Sequence, residues 1–210
     1  MKRPRVLVAD DHRIVAEGLR ALLEPEFELL EIVEDGRALL EAHDRLHPDI
    51  VVADVSMPLL NGIQAVRQLR DAGSRSKFVF LTMHPDVGYA TEALESGASG
   101  YVLKHSAPDE LVTAIREALA GRTYITPRVA GAVLEALRKG EGAGTPRLTS
   151  RQTEVLQLVA EGKSAKEVAA ILNLSPRTVE SHKYAIMEQL GVSTTAELEQ
   201  QAIKLGLIRP

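Results

Sequence analysis

Val6-Leu7-Val8-Ala9 runs into Asp10-Asp11, Ile50-Val51-Val52-Ala53 into Asp54, Phe78-Val79-Phe80-Leu81 into Thr82, and Gly100-Tyr101-Val102-Leu103 into Lys104. Each is an apolar run of strand length, closed by a residue that carries chemistry. Between them lie segments of helical period: Ile14, Val15, Leu19, Leu22 and Leu23; Ala38, Leu39, Ala42 and Leu46; Ile63, Val66 and Leu69; Val87, Ala90 and Leu94; Leu111, Val112, Ile115 and Leu119. A further strand is predicted over Glu28 to Val33. Strands alternating with helices, and apolar on both faces, indicate a parallel sheet covered on both sides. Five such strands fit a doubly wound, flavodoxin-like α/β fold, whose ligands bind at the carboxyl ends of the strands.

If the strands lie parallel, their ends gather three carboxylates, a hydroxyl and an ammonium in one crevice. Alone, Asp54 or Asp10 would read as a helix N-cap, Thr82 as a strand end and Lys104 as a solvated lysine. Their joint placement at four strand ends favours a site for a divalent cation and an anion. Magnesium takes hard oxygen ligands, which Asp10, Asp11 and Asp54 supply. A carboxylate can also receive a phosphoryl group as an acyl phosphate. Lys104 and the Thr82 hydroxyl suit the phosphoryl oxygens. His12 and His84 flank this crevice and read as surface residues.

The chain has 210 residues, 45% hydrophobic and 26% charged, room for one large domain or two small ones. It has no cysteine, which excludes disulfides and thiolate metal sites. No apolar run approaches the roughly 18 residues of a membrane helix, and Met1 to Arg5 lead into too short a run for a signal peptide. No membrane partner and a cytoplasmic location are therefore expected. The net charge of −4 is unevenly spread, about −7 over residues 1–121 and about +3 over 122–210. Two domains with different partners are expected: 1–121, a connecting segment 122–147 with a helix from Pro127 to Lys139 and a Gly/Pro-rich linker at 140–147, and 148–210.

The last segment shows no strand pattern. Thr149 with Gln152, Ser164 with Glu167, and Thr194 with Glu197 have capping-box spacing. Ser175-Pro176 offers an N-cap followed by proline in the first turn. Four start signals in so short a stretch predict an all-α unit of four helices. Helices over 164–172 and 176–190 around Asn173-Leu174 have helix-turn-helix spacing. Val179, Ile186 and Leu190 form the inward stripe of the second; Arg177, Thr178, Glu180, Ser181, Lys183 and Tyr184 lie opposite, with Lys163 and Lys166 at the start of the first. Such a face can meet base edges and phosphates of double-stranded DNA. Spacing alone leaves a plain α-hairpin open.

The quoted strand ends, together with Ser56-Met57-Pro58-Leu59-Leu60-Asn61-Gly62 and Tyr101-Val102-Leu103-Lys104, resemble the receiver domain of bacterial two-component response regulators. That resemblance implies Asp54 as phosphoacceptor for a histidine kinase. It implies Asp10, Asp11 and Asp54 with the Ser56 carbonyl as Mg2+ ligands, Thr82 and Lys104 on the phosphoryl group, and Tyr101 moving with Thr82 in a switch. Met83 stands where a smaller residue is common. Leu148-Thr149-Ser150-Arg151-Gln152, Gly162-Lys163-Ser164 and Ser175-Pro176-Arg177-Thr178-Val179-Glu180 resemble a LuxR-type helix-turn-helix, and the pair together the NarL/FixJ class of transcriptional regulators. Glu180 stands where some members carry lysine; it could accept from a cytosine amino group or face solvent. By this likeness, phosphorylation releases the recognition helix from the receiver and favours a homodimer on promoter half-sites, with Leu198, Ala202 and Leu205 as the dimer stripe. No enzymatic turnover is expected. An aspartate-nucleophile phosphatase would want an acid where Ser56 stands and a cap insertion, and a regulator controlled by a protein partner would not need the crevice.

Overall fold

The computed structural model describes residues 3–139 and 148–208. The linker expected at 140–147 lies outside them.

The N-terminal part is a parallel sheet of β1 (Arg5–Ala9), β2 (Glu28–Val33), β3 (Ile50–Ala53), β4 (Lys77–Thr82), β5 (Gly100–Leu103) and β6 (Tyr124–Ile125), in the order β2-β1-β3-β4-β5-β6. The doubly wound arrangement is as expected, with a sixth strand beyond the five. β6 pairs with β5 over only two residues, Tyr124 beside Gly100 and Ile125 beside Tyr101, too few to show a period in sequence. It is held by the residue that follows: the Thr126 amide donates to the Tyr101 carbonyl at 2.9 Å, and its hydroxyl accepts from the Leu103 amide at 3.2 Å.

Strand alternation sends Val6 and Val8 to one face and Leu7 and Ala9 to the other, all buried. The first face is covered by α1 (Arg13–Leu23) and α5 (Ala107–Leu119) through Leu19, Leu23, Leu111 and Ile115. The other is covered by α2 (Gly36–Leu46), α3 (Gly62–Asp71), α4 (Val87–Glu95) and α6 (Pro127–Lys139). Each fully buried leucine or isoleucine contributes about 1.5–3 kcal/mol, so the sheet ends are a stiff frame for what they carry.

The C-terminal part is four helices: α7 (Ser150–Ala160), α8 (Ala165–Leu172), α9 (Pro176–Leu190) and α10 (Thr195–Lys204). All three capping boxes form, at Thr149, Ser164 and Thr194, and the Ser175 hydroxyl caps the Thr178 amide. Asn173 ends α8 in the left-handed conformation that turns the chain into α9. Val155, Leu158, Val168, Leu172, Val179 and Ile186 make a separate apolar core. Leu198 and Ala202 are also fully buried in it, and Leu205 packs against it. The stripe read as a dimer face is thus spent inside the domain. An amphipathic pattern reports that a face is covered, without saying by what.

Candidate functional site

β1, β3, β4 and β5 are neighbours, so their carboxyl ends bring Asp10, Asp54, Thr82 and Lys104 together. The Asp54 amide donates to the Ala9 carbonyl at 2.8 Å, and the Asp10 amide to the Val33 carbonyl at 2.9 Å, so the ladder itself sets both aspartates. Gly62 then lets α3 begin against the end of β3: a Cβ there would lie 2.0 Å from the Asp54 carbonyl oxygen.

Lys104 Nζ stands 2.7 Å from Asp10 Oδ2 and 2.8 Å from Asp54 Oδ2. The three side chains expose 6%, 1% and 2% of their surface. Two carboxylates taken this far out of water need such a counter-charge, because an unpaired buried ion costs several kcal/mol. Asp11 lies at the rim with its side chain 23% exposed. His12 is closer in than its flanking position suggested. Its Nδ1 is 3.1 Å from both Asp10 Oδ1 and Asp11 Oδ1, and Asp10, Asp11, His12 and Asp54 each offer a ligand atom within 4.8 Å of the others. A donor set of carboxylates with one imidazole fits a divalent cation.

Thr82 is fully buried, and its Oγ1 accepts from the His84 amide at 3.2 Å. Tyr101 is also fully buried, and its hydroxyl donates to the His84 carbonyl at 2.8 Å. Burial above all, then the negative Asp86, pushes its pKa far above the usual phenol range, so Tyr101 remains a donor. His84 is a hub rather than a plain surface residue: its Nε2 also lies 2.9 Å from Ser56 Oγ. Met83 points outward, 63% exposed.

On the helical domain, α9 buries Val179 and Ile186 and presents Arg177, Ser181 and Tyr184 outward, with Thr178, Glu180 and Lys183 partly exposed. Lys166 is exposed and Lys163 half-buried at the start of α8. Thr178 also serves the cap, its hydroxyl 2.8 Å from that of Ser175. The sequence left the resting arrangement of the two parts open; here the outward face of α9 stays exposed or partly exposed. The hydrogen bonds that join the two parts come from α7 and from the end of α10: Arg37 to Glu154 at 2.7 Å, Gln157 to Met57 and Asn61, Glu161 to Leu59, and Ser56 and Tyr89 to the carbonyls of Gly206 and Lys204. The sequence marks the Ser56–Asn61 loop for the crevice, not for this contact, and singles out none of Arg37, Tyr89, Glu154, Gln157, Glu161, Lys204 and Gly206. The available signal was the apolar pair Leu59-Leu60 in a loop, and a glutamine at an inward position of α7.

Residues 6–116 match the family model of the response regulator receiver domain, and residues 146–202 that of bacterial regulatory proteins of the luxR family. The transcriptional regulatory protein DegU of Brevibacillus brevis is 30% identical over 98% of this chain and 95% of its own length. RcsB of Salmonella enterica serovar Typhimurium, solved bound to promoter P1flhDC in the presence of phosphomimetic BeF3-, is 31% identical, with a TM-score of 0.65 over 94% of this chain and 96% of that one. A structure of two RcsB dimers bound to two parallel DNAs is 28% identical, with a TM-score of 0.60 over 95% and 97%.

Proposed function

The chain belongs to the response regulators that join a receiver domain to a LuxR-type DNA-binding domain, and from that premise we propose that it is a transcriptional regulator switched by phosphorylation of Asp54. We place the receiver at 1–121, the connecting segment at 122–147 and the DNA-binding domain at 148–210. The observation that carries the reading is the buried set of Asp10, Asp54 and Lys104 within 2.8 Å at the strand ends, in a chain that also presents an exposed recognition face.

In the proposed reaction an Asp54 carboxylate oxygen attacks the phosphorus of a phosphohistidine on a histidine kinase. The P–O bond forms as the P–N bond breaks, and the departing imidazole takes up a proton. Lys104 gives up its ion pair with Asp54 and turns to the phosphoryl oxygens, while the Thr82 hydroxyl donates to one of them. Asp10, Asp11, Asp54 and the Ser56 carbonyl would hold Mg2+, which supplies neutralisation of the charge that develops on transfer. Drawing Thr82 toward the phosphoryl group loosens its bond to the His84 amide and, through His84, the Tyr101 hydroxyl. The phosphate is held rather than turned over.

Output is binding of double-stranded promoter DNA by α9. Arg177, Ser181, Lys183 and Tyr184 supply the contacts, with Thr178 and Glu180 beside them and Lys163 and Lys166 on the backbone. A homodimer on two half-sites is supported by the RcsB dimers on DNA; its interface must lie elsewhere than Leu198 and Ala202. No helix among the described residues is long and apolar enough to cross a membrane, and we place the protein in the cytoplasm. The test is acyl-phosphate labelling with acetyl phosphate and Mg2+: the wild type takes up one phosphate and Asp54→Asn none. Stoichiometric labelling of Asp54→Asn would remove the acceptor assignment. Equal DNA affinity with and without phosphodonor would point to partner control.

A further inference from the structure

His12 brings to the crevice a kind of ligand that the carboxylates around it do not. It is the residue before α1, and its ring makes no hydrogen bond to the first turn of that helix, so the side chain is not spent on a cap. The local backbone turns it inward instead: Asp10 Oδ1 accepts from the His12 amide at 2.9 Å. A bond from a carboxylate to the amide two residues on folds the tripeptide back on itself, and the imidazole comes to lie over Asp10.

Nδ1 stands 3.1 Å from Asp10 Oδ1 and 3.1 Å from Asp11 Oδ1. One Nδ1–H meets two oxygens only by sharing its proton between them, whereas a cation among the three atoms is bonded to each. Ligand atoms about 2.1 Å from an octahedral ion stand about 3.0 Å apart when adjacent and about 4.2 Å apart when opposite. Both His12 distances match an adjacent pair, and the two pairs share Nδ1. Asp10, Asp11, His12 and Asp54 each offer an atom within 4.8 Å of the others, little beyond the span of opposite ligands. Lys104 does not take this side of the crevice. Its Nζ holds Asp10 Oδ2 and Asp54 Oδ2 and leaves Asp10 Oδ1 to the rim. Three carboxylates against one ammonium leave two negative charges, which a divalent ion cancels. The His12 side chain is 42% exposed, so an ion reaches it from solvent.

We propose that His12 is a metal ligand of the crevice, and that its Nδ1 makes the site selective for a first-row divalent transition ion, Mn2+ to Zn2+, over Mg2+. Mg2+ takes hard oxygens, while imidazole suits the softer ions, whose affinity for such a site rises from Mn2+ to Ni2+. With its proton on Nε2 the ring presents a lone pair on Nδ1. The inference rests on the crevice being the cation site proposed above. It goes beyond that reading in naming a nitrogen ligand and the class of ion that this ligand favours.

The test loads the untagged full-length chain, without phosphodonor, with Mn2+, Ni2+ or Mg2+, singly and in competition. Pulsed EPR of the Mn2+ complex is expected to show nitrogen coupling from a bound imidazole, and His12→Ala to lose it. In His12→Ala the Ni2+ affinity should fall on the order of tenfold, the low end of what residues around a bound metal contribute. Mn2+ affinity should fall less, and Mg2+ affinity least. A ring that only propped up the rim would weaken all three ions alike. His12→Asn keeps a good N-cap before α1 and offers an oxygen where the nitrogen was. It should hold Mg2+ and lose the nitrogen coupling, which separates loss of the ligand from loss of folding. Mn2+ bound without nitrogen coupling, and a ratio of Ni2+ to Mg2+ affinity equal in the wild type and both variants, would overturn the His12 ligand and leave an all-oxygen site. A wild type that takes up none of the three ions would overturn the cation site as well.

Discussion

The strand-end crevice and the seam at α7 both bury polar groups almost completely, and they do so with different chemistry. In the crevice the groups are ions: Lys104 between Asp10 and Asp54, all from one sheet. In the seam the central group is a neutral amide, Gln157, whose partners Met57 and Asn61 belong to the other domain. Removing one member of a buried ion pair costs about 3–5 kcal/mol. A neutral hydrogen bond contributes a net of about 0.5–1.5 kcal/mol. The crevice is therefore a fixed feature of the receiver. The seam lies within reach of the 1–3 kcal/mol that typical allosteric coupling supplies. A switch needs both: a site that keeps its shape and a contact weak enough to be broken by what happens there.

Four substitutions test that contrast, from the largest expected effect to the smallest. Lys104→Ala leaves two buried carboxylates facing each other without a counter-charge. Urea unfolding without divalent cation should show a loss of about 3–5 kcal/mol, with Mg2+ restoring a substantial part of it. A loss unchanged by Mg2+ would deny the crevice its cation. Lys183→Ala should leave both crevice and seam as they are. It should weaken operator binding and reduce the slope of log affinity against log salt by about one unit; an unaltered slope takes Lys183 off the phosphate backbone. Ser175→Ala removes the cap of α9, and thermal unfolding of the helical domain should report a cost of about 1 kcal/mol.

Glu161→Gln should tighten the seam. Burial is the main cause that holds the Glu161 carboxyl above its ordinary pKa, against the opposing bonds from Gln157 and Leu59. A raised pKa in the docked state means that docking favours the protonated form. The seam is then tightest below the ordinary carboxylate pKa and weakens as pH rises through the raised one. A neutral glutamine removes that penalty and keeps an acceptor for the Leu59 amide. Hydrogen exchange at the Leu59 amide, relative to its intrinsic rate, should slow slightly, and the pH dependence of that protection should flatten. Faster exchange would show that the Glu161 charge holds the seam.

Local patterns were legible because they concern residues near one another in the chain. The parallel sheet followed from apolar runs alternating with helical periods, and the site from the residues that close those runs. The capping boxes at Thr149, Ser164 and Thr194 all form as their spacing indicates. Three readings went otherwise, each for a reason outside local pattern. The Tyr124–Ile125 strand is too short to have a period. The stripe of Leu198 and Ala202 is apolar as expected, but it is covered by its own domain. His12 and His84 were placed at the rim, and backbone geometry turned both into the network.

The sequence by itself determined the fold of the receiver, the four helices that follow it, and the charges that meet at the strand ends. Each depends on short-range periodicity, on caps, or on the rule that parallel strands deliver their carboxyl ends to one edge. Only the tertiary structure decided how the two parts meet: that α7 rather than α9 faces the receiver, that Gln157 fills its hydrogen bonds on a loop some hundred residues away, and that Gly206 ends beside the loop that follows Asp54. Such a seam is built from single neutral contacts between distant segments. Its net free energy is a small difference between desolvation and bonding, and no pattern along the chain records that difference.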